Sequence, residues 1–458
     1  MVKLSLTSIA LASLLAMGVA AKKKSKDQPT PSSSTAVAPT GTVKEATCER
    51  NLKVTNQSDL DAISNCATFK GNIEINGLSA VPNLHLNGVE HIIGDLVLTN
   101  NNDLVSFEAA ALTKVEGALR IENHILLNQV QLPHLKAARL VSFSVLPALD
   151  VIAFPSGLTH VEQMKVEDTR APTVHGFLAD RVGTFMLLNN NYMKSFDFNS
   201  VKDVTGEMLI MGNNHALTFQ ANQLAKIQKA TFFNLYQLDM PALTEVQNDI
   251  SFHENDFLSL NMDSVENIGG TMTIANNNKL KETSFKKLHL INGALSIGNN
   301  TQLTAIDGFP ALKAVHGTID LAGGFSKYHI PSLQDVRGGM RLQTTSSQFG
   351  CADIERKLRG ENVVKGTTWS CTASMQETNL VPTMGQSPNS GNNNNKQPAL
   401  ATGNNNNKGS GNTPTTGNTN MGNAIGQLSS SAASSFNVMA TSGSLMAGVA
   451  IGFVYNLI

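Results

Sequence analysis

The stretch GALSIGNNTQLTAIDGFPALKAVH, residues 293–316, is the unit that the middle of this chain repeats. After the opening glycine, Leu295 and Ile297 alternate with small residues, so both side chains point to one face of a short strand. Asn300 closes the strand, and Gly317 opens the next copy. Because a strand with two apolar residues cannot bury them by itself, each unit must pack against its neighbours.

Similar units fill residues 71–350. Their opening glycines recur at intervals of 22 to 24 residues within each run, at Gly71, Gly94, Gly117, Gly183, Gly206, Gly270, Gly293, Gly317 and Gly339. Weaker copies begin near Leu140, Gln163, Lys229 and Asn248. A period of this length is typical of a solenoid. The pattern therefore predicts a mainly β fold, a right-handed parallel β-solenoid of about a dozen turns.

Two further features of the repeat favour strands over leucine-rich helices at a chance period. A second apolar pair, such as Leu312 and Val315, recurs in most units, and the strand residues alternate with a period of two. Asparagines stand at one offset after the strand, at Asn101, Asn190, Asn213, Asn255, Asn277 and Asn300. Their carboxamides can donate and accept, which predicts a ladder of hydrogen bonds to the backbone of neighbouring coils.

The N-terminal residues 1–21 are predicted to be a secretory signal peptide, with Lys3, an apolar run from Leu4 and small residues at 18–21. The KKKSK stretch at 22–26 disagrees, because the positive-inside tendency would interpret it as a cytoplasmic flank. The cysteines and the C-terminus nevertheless favour the secretory pathway. Residues 22–47, rich in Ser, Thr, Pro and Lys, are predicted to be a flexible leader.

The C-terminal part changes composition. Residues 373–435 are rich in Asn, Ser, Thr and Gly and are predicted to be a disordered linker. Small residues around Ser431, a polar spacer and the apolar tail that starts at Leu445 follow in the order of a glycosylphosphatidylinositol (GPI) signal. Residues 436–458 are then the removed propeptide, with attachment near Ser431. The alternative is a C-terminal membrane helix, but the tail is shorter than the usual span of about 20 residues.

Caps are predicted at both ends of the solenoid, over residues 48–70 and 351–372, because an open end would expose the core and a strand edge. In the first, Ser58 and Asp61 have capping-box spacing and predict a short helix. In the second, the helix ADIERKLRG follows Cys351, with Ile354 and Leu358 on one side.

The four cysteines allow three pairings. We favour Cys48 with Cys66 and Cys351 with Cys371, because each pair lies within one cap. Disulfides indicate an oxidising compartment, in agreement with a signal peptide. A zinc site is the rival interpretation, but the chain has no CxxC and no histidine at ligand spacing.

The outward strand face is where catalytic carboxylates would lie, since solenoids can carry polysaccharide lyases and hydrolases. The expected central column includes Glu74, Val97, Arg120, Lys165, Met186, Leu209, Thr231, Ser251, Thr273, Ser296, Asp320 and Arg341. No two acids are adjacent in it, and the nearest approach is the diagonal of Glu74 with Asp95. Glycoside hydrolysis needs a placed carboxyl pair. The chain is therefore predicted not to be an enzyme and to hold no cofactor or metal.

Other surface features are few. Met186 and Leu209 are expected to form a small exposed apolar spot, although scattered apolar surface residues are normal. The sequons are Asn56 and Asn299, and Asn299 should face solvent because Asn300 points inward. A formal net charge of −1 gives no attraction to nucleic acid or acidic membranes.

With these segments in view, the chain resembles the fungal GPI-anchored proteins of the cell-wall organisation and sporulation-specific family, whose repeats are similar to receptor L-domains and leucine-rich repeats. The resemblance rests on SDLDAISNCATFKGNIEI, the GxLxIxxNxxL coils, FPALKAV and the closing cysteine cap that ends in GTTWSC. It covers about residues 48–372, with the coils between 140 and 182 and around 229–247 departing from the pattern. It implies a glycoprotein of the plasma membrane or wall that is needed for wall assembly, with no catalytic residues to carry over.

The function predicted from these observations is a non-catalytic, GPI-anchored surface glycoprotein that supports fungal-type cell wall organisation and integrity. Its expected partners are a wall polysaccharide such as glucan or chitin, or wall proteins, with the membrane reached through the GPI lipid. One alternative is a ligand-binding adhesin or receptor-like protein on the same scaffold. The other is an enzyme that remodels wall polysaccharide.

Overall fold

Short strands with inward-facing apolar residues stack in register through the computed structural model, which describes residues 48–380. They form a parallel β-solenoid of about 13 turns of about 23 residues, as the repeat predicts. The predicted signal peptide (1–21), the leader (22–47), the propeptide (436–458) and Ser431 lie outside the described residues, as does most of the linker. No helix within residues 48–380 is long and apolar enough to cross a membrane.

The main sheet contains 23 strands, most of them two to five residues long. In chain order they are Leu52–Val54, Thr68–Lys70, Ile73–Asn76, His91–Ile93, Leu96–Thr99, Lys114–Glu122, Ala137–Leu146, His160–Thr169, Arg181–Val182, Thr184–Leu188, Asp203–Met211, Lys226–Phe233, Glu245–Val246, Ile250–His253, Asn267–Ile268, Met272–Ala275, Leu290–Ile291, Leu295–Gly298, Ala314–Val315, Ile319–Gly323, Asp335–Val336, Met340–Thr344 and Trp369–Thr372. The weaker copies near Leu140 and Gln163 are full members of this sheet.

A second face of the solenoid carries shorter sheets that are separate from one another. Their strands are Asn83–His85, Ser106–Glu108 and Gln129–Gln131; Ile152–Leu158 and Val174–Phe177; Ser195–Asp197, Thr218–Gln220 and Gln237–Asp239; Ser259–Asn261 and Glu282–Ser284; and Ala305–Ile306 and Lys327–Tyr328. Each sheet therefore joins only two or three neighbouring turns.

The core is one continuous apolar column between these faces. Leu295 is 0% exposed and Ile297 3%, and the second apolar pair, Leu312 and Val315, is fully buried. The opening glycines allow the coils to stack closely, because a Cβ on Gly293 would lie 2.5 Å from the carbonyl carbon of Gly270. The repeat thus places its glycines where backbone meets backbone.

The predicted asparagine ladder is confirmed and runs along the turn after the main strand. The Asn277 N–H donates to Asn300 Oδ1 at 2.9 Å, and the Asn255 N–H donates to Asn277 Oδ1 at 2.9 Å. Asn277 Nδ2 also donates to the Phe252 carbonyl at 3.0 Å. Asn190 and Asn213 are joined in the same way. These bonds satisfy buried backbone groups that no strand pairs.

Both ends of the solenoid are closed by disulfides, Cys48–Cys66 and Cys351–Cys371, in the pairing that the sequence favours. The first cap contains helix α1 (Gln57–Asp61), but the predicted capping box at Ser58 and Asp61 is wrong. Asn56 is the N-cap, and its side chain accepts from the Ser58 N–H at 2.9 Å. Asp59 accepts from the backbone of Thr55 and Asn56, because an acidic side chain at the third helical position reaches back to the preceding turn.

Helix α2 (Cys351–Leu358) lies in the second cap and buries Leu358 against the last coil. The strand Trp369–Thr372 then adds to the edge of the main sheet beside Met340–Thr344. The first residues of the predicted linker continue this packing, since the Met375 N–H donates to the Thr344 carbonyl at 3.0 Å. A short 3₁₀ helix follows at Glu377–Asn379.

Candidate functional site

The outward column of the main sheet has the composition that the sequence predicts. The strand register places one residue of this column in each successive coil. In chain order they are Lys53, Glu74, Val97, Arg120, Ser142, Lys165, Met186, Leu209, Thr231, Ser251, Thr273, Ser296, Asp320, Arg341 and Ser370. Sequence reasoning missed Lys53, Ser142 and Ser370, of which Ser142 lies in the weak coil near Leu140.

The carboxylates near this column are engaged in structural contacts. Asp95 Oδ1 accepts from the Ala118 N–H in the next coil at 2.7 Å, so its contact is with backbone. Asp320 accepts two hydrogen bonds from the Arg341 guanidinium, at 2.8 and 2.6 Å. Glu74 belongs to the central column and has Val97 and Lys53 as its neighbours there. Glu74 and Asp95 are therefore diagonal neighbours in adjacent coils, and Asp95 is already bonded to backbone.

Another pair of acids lies one column further along the strands, where sequence reasoning did not look. Glu122 and Glu167 flank Ser144, so two strand spacings of about 4.8 Å separate their backbones. Burial raises the pKa of Glu167, but hydrogen bonds from Lys165 and Ser144 outweigh that effect and hold the pKa below its usual range. Glu167 stays ionised and suits an ion pair with Lys165, whose Nζ is 2.5 Å away, better than proton delivery.

The prediction of an exposed apolar spot at Met186 and Leu209 is wrong, because their side chains are only 1% and 7% exposed. Met186 lies between Lys165 and Leu209 in the column, and Leu188 follows it on the same face. Side chains in register at the strand spacing pack side against side and cover one another.

The two sequon asparagines both lie on exposed backbone. Asn299 is exposed and its Nδ2 donates to Asn276 Oδ1 at 2.8 Å, whereas the adjacent Asn300 is buried in the ladder. Asn56 uses Oδ1 to cap α1, which leaves its Nδ2 toward Thr55 Oγ1. In each case the amide nitrogen that a glycan would modify is at the surface.

A groove on the second face originates in a shortened coil. Thr218 lies eight positions after Ile210, but its partner Gln237 lies only five positions after Phe232, the partner of Ile210. The missing residues include the ladder asparagine, and Leu235 stands in its place, with its N–H donating to Asn255 Oδ1 at 3.0 Å. This coil therefore connects the main sheet to the second face, at the corner between them, with fewer residues than its neighbour does.

The strands on either side of this corner do not pair. Gln237–Asp239 pairs only with Thr218–Gln220, and Ser259–Asn261 pairs only with Glu282–Ser284. Within residues 48–380, no backbone hydrogen bond joins 237–243 to 257–263. The space between them is a cavity of 590 Å³ lined by residues within 236–241 and 256–264, together with Asn222. We call it the Tyr236 groove.

The chemistry of the Tyr236 groove is mixed. Tyr236 and Leu258 lie at its rim and are 56% and 58% exposed. Its polar groups are held in place, since Gln237 Nε2 donates to Asp239 Oδ2 at 2.7 Å and Lys279 Nζ lies 3.2 Å from Asp256 Oδ2. Burial raises the pKa of Asp263, but hydrogen bonds from Lys286 and Ser284 prevail and lower it. The groove thus presents an aromatic ring beside ionised and amide acceptors.

The histidines and acids of the described residues do not gather into a metal site. The part of the chain that the structure describes holds no group of three or more His, Cys, Asp or Glu side chains that could bind a metal ion. His124 and His253 are the buried histidines there, and burial lowers the pKa of each to about 4. His124 occupies a ladder position, with Nε2 3.1 Å from Asn101 Nδ2.

Comparison with known proteins gives homologues from fungi. The chain is 27% identical over 337 residues to sporulation-specific protein 22 of Saccharomyces cerevisiae, covering 73% of this chain and 72% of that protein. It is 27% identical over 319 residues to a cell surface GPI-anchored protein of Arthroderma benhamiae, covering 70% and 81%. It is also 27% identical over 327 residues to protein ecm33 of Aspergillus fumigatus, covering 71% and 80%.

The resemblance to fungal surface and sporulation-specific proteins is therefore confirmed at the level of homology. No protein-family model matches the chain. No solved structure matches it either.

Proposed function

We propose that this chain is a non-catalytic, GPI-anchored glycoprotein that supports the organisation and integrity of a fungal-type cell wall. The observation that carries the proposal is the homology over about 70% of the chain to proteins named for the cell surface, the GPI anchor and the cell wall. Its place is the outer face of the plasma membrane or the wall, reached through the secretory pathway.

The caps support this location. Disulfides persist in oxidising compartments, and here they close both ends of a scaffold that would otherwise expose its core. We propose that residues 1–21 direct secretion, that residues 436–458 are exchanged for a GPI lipid near Ser431, and that Asn56 and Asn299 carry glycans.

The proposal is tested in cells that lack the protein. These cells should show weakened walls and greater sensitivity to wall-binding dyes, and the full chain should restore them. A chain that ends at residue 435 should be secreted without a lipid anchor, as measured by its release into the medium. Normal walls in the deletion strain would overturn the proposed role, and membrane retention of the shortened chain would overturn the anchor.

The two proposed glycosylation sites are tested with separate variants. The variants Asn56→Gln and Asn299→Gln should each remove one glycan, as measured by mass before and after enzymatic deglycosylation. Variants with unchanged glycan mass would contradict these sites.

The alternative of a wall-remodelling enzyme is favoured by one observation, the spacing of Glu122 and Glu167 across Ser144. The full chain should release no reducing ends from β-glucan or chitin. Activity that disappears in Glu122→Gln with Glu167→Gln, or in Glu74→Gln with Asp95→Asn, would establish the enzyme instead.

The alternative of an adhesin or receptor predicts that the purified chain binds to cells or to a defined ligand without affecting the wall. Unaltered walls in the deletion strain together with lost adhesion would favour that alternative.

A further inference from the structure

We propose that the Tyr236 groove binds a neutral polysaccharide chain, with the Tyr236 ring against a sugar face and the groove side chains bonded to its hydroxyl groups. This inference deepens the proposed function and rests on it. It names the site and the chemical class of the ligand for a protein that works at the wall.

The exposed ring of Tyr236 is the first feature of the groove that favours a sugar ligand. Tyr236 is 56% exposed, and Leu258 occupies the corresponding corner of the next coil, because the strands that follow them begin at Gln237 and Ser259. A tyrosine ring that stands beside polar side chains can cover the apolar C–H face of a pyranose and hold water away from it. Ligand pockets commonly combine aromatic side chains with a few polar groups, as this groove does.

The second feature is the supply of hydrogen-bond partners. Asp239, Asn261 and Ser259 lie along the two walls of the groove, on the strands whose edges do not pair. Carboxylates and amides accept hydrogen bonds from hydroxyl groups, and amides and serine hydroxyls donate in return. A ligand that carries many hydroxyl groups matches this wall better than an apolar one.

The third feature is charge. Two of the carboxylates at the groove have lysine partners, Asp256 with Lys279 at 3.2 Å and Asp263 with Lys286 at 2.6 Å. These pairs compensate most of the local negative charge. A neutral ligand therefore fits, whereas an anionic one would meet the remaining carboxylate of Asp239.

The fourth feature is length. A second cavity of 390 Å³ continues over the next coil and shares Ser259 and Asn261 with the Tyr236 groove. Its lining includes Glu282, Thr283 and Asp307, and Asp307 pairs with Lys327 at 2.8 Å. The two cavities follow one another along the solenoid, as consecutive subsites for a polymer would.

An extended peptide is the competing occupant, because unpaired strand edges invite another strand. Pro241 weakens that possibility, since it ends one wall of the groove without a backbone N–H to donate. The polar side chains described above also provide more hydrogen-bonding groups than a backbone ladder needs.

The experiment is a calorimetric titration of the full chain, purified from a secretory host, with laminarihexaose, cellohexaose and chitohexaose as separate probes. At least one hexasaccharide should bind, and it should bind at least about tenfold more tightly than its monosaccharide, because it reaches both cavities. The probe that binds identifies a glucan or a chitin source. Failure of all three to bind at about 10 mM would overturn the proposal.

The variant Tyr236→Ala should weaken binding about tenfold while its unfolding curve stays that of the unmodified chain, because the ring is exposed. Tyr192→Ala is the matched control, since Tyr192 is 57% exposed but lies under the Arg170 guanidinium, outside the groove. Asp239→Asn keeps the shape of the wall and should also weaken binding. Equal losses in the Tyr236 and Tyr192 variants would contradict the site.

A peptide of alternating Thr and Lys serves as the strand probe. Saturable binding of this peptide at the groove, without any saccharide binding, would replace the proposal with peptide recognition. A chain that binds no saccharide but still restores the walls of the deletion strain would overturn the groove inference and leave the proposed function standing.

Discussion

Asn277 links three consecutive coils through its buried side chain. It donates to the Phe252 carbonyl on one side and to Asn300 Oδ1 on the other, and its Oδ1 accepts from the Asn255 N–H. A buried donor or acceptor that loses its partner costs about 1–3 kcal/mol. Several such groups depend on the Asn277 side chain. The asparagine column therefore stabilises the turn that follows each main strand.

Replacing this side chain should be costly. Asn277→Ala is expected to lower the free energy of unfolding by about 3 kcal/mol, because it leaves backbone groups of two coils unpaired. Asn278→Ala, at the exposed neighbour, should change it by less than about 0.5 kcal/mol. Urea unfolding followed by circular dichroism measures both. Equal effects in the two variants would contradict a structural ladder.

His124 replaces asparagine in this column and introduces a dependence on pH. Burial lowers the pKa of His124 to about 4 in the folded chain, whereas an unfolded histidine titrates near 6.5. Between these values the unfolded state binds more protons, so stability falls as pH drops from about 6.5 toward 4. Its contribution to that loss is on the order of 2 kcal/mol at pH 5 and about 3 kcal/mol at pH 4.

The variant His124→Asn should reduce this loss and keep the bond to Asn101, because an amide can accept where the imidazole did. His253, which is buried with a similarly lowered pKa, retains its own share of the pH dependence. The measurement is the urea midpoint at pH 7 and pH 5, with His215→Asn on the exposed turn as control. An unchanged pH dependence in His124→Asn would contradict the assignment.

At the scale of elements, the repeat was predictable because its signals are local. Glycines stand where backbones meet, asparagines stand in the turn, and alternation sets the strand face. The short strands of the second face were not predictable in this way. A three-residue strand such as Ser259–Asn261 is defined by the coil beside it, not by its own residues.

The Tyr236 groove was likewise not predictable from local sequence signals. The shorter spacing around residues 229–247 was visible in the sequence as a weak coil. Its consequence, two strand edges that fail to pair, depends on where the missing residues fall in the turn. The burial of Met186 likewise depended on neighbours in other coils, which a single repeat does not reveal.

Opening the disulfide of one cap should destabilise only the coils next to that cap. The double variant Cys351→Ser with Cys371→Ser opens a loop with a sequence separation of 20, which should cost about 3 kcal/mol by the chain-entropy model. Hydrogen exchange should rise at Trp369–Thr372 and Met340–Thr344 and stay slow in the central coils, because each coil contacts only its neighbours. Opening Cys48–Cys66 serves as the matched control at the other end. Uniform exchange throughout the chain would contradict local capping.

At the scale of the whole molecule, we expect the coils to be interchangeable units of one stack. In such a stack, stability is approximately the sum of intrinsic repeat terms and nearest-neighbour interfaces. The Tyr236 groove and the caps are then local departures on a regular support. The scaffold positions a surface along its length.

The most direct measurement compares two deletions in the full chain. Removing residues 271–293 joins Gly270 to Ala294 and takes out one complete coil, whereas removing residues 271–281 takes out half of one. We expect the first protein to be secreted and to unfold cooperatively with the same β content per residue, and we expect the second not to fold. Cooperative unfolding of both deletions, or of neither, would contradict a stack of in-register coils.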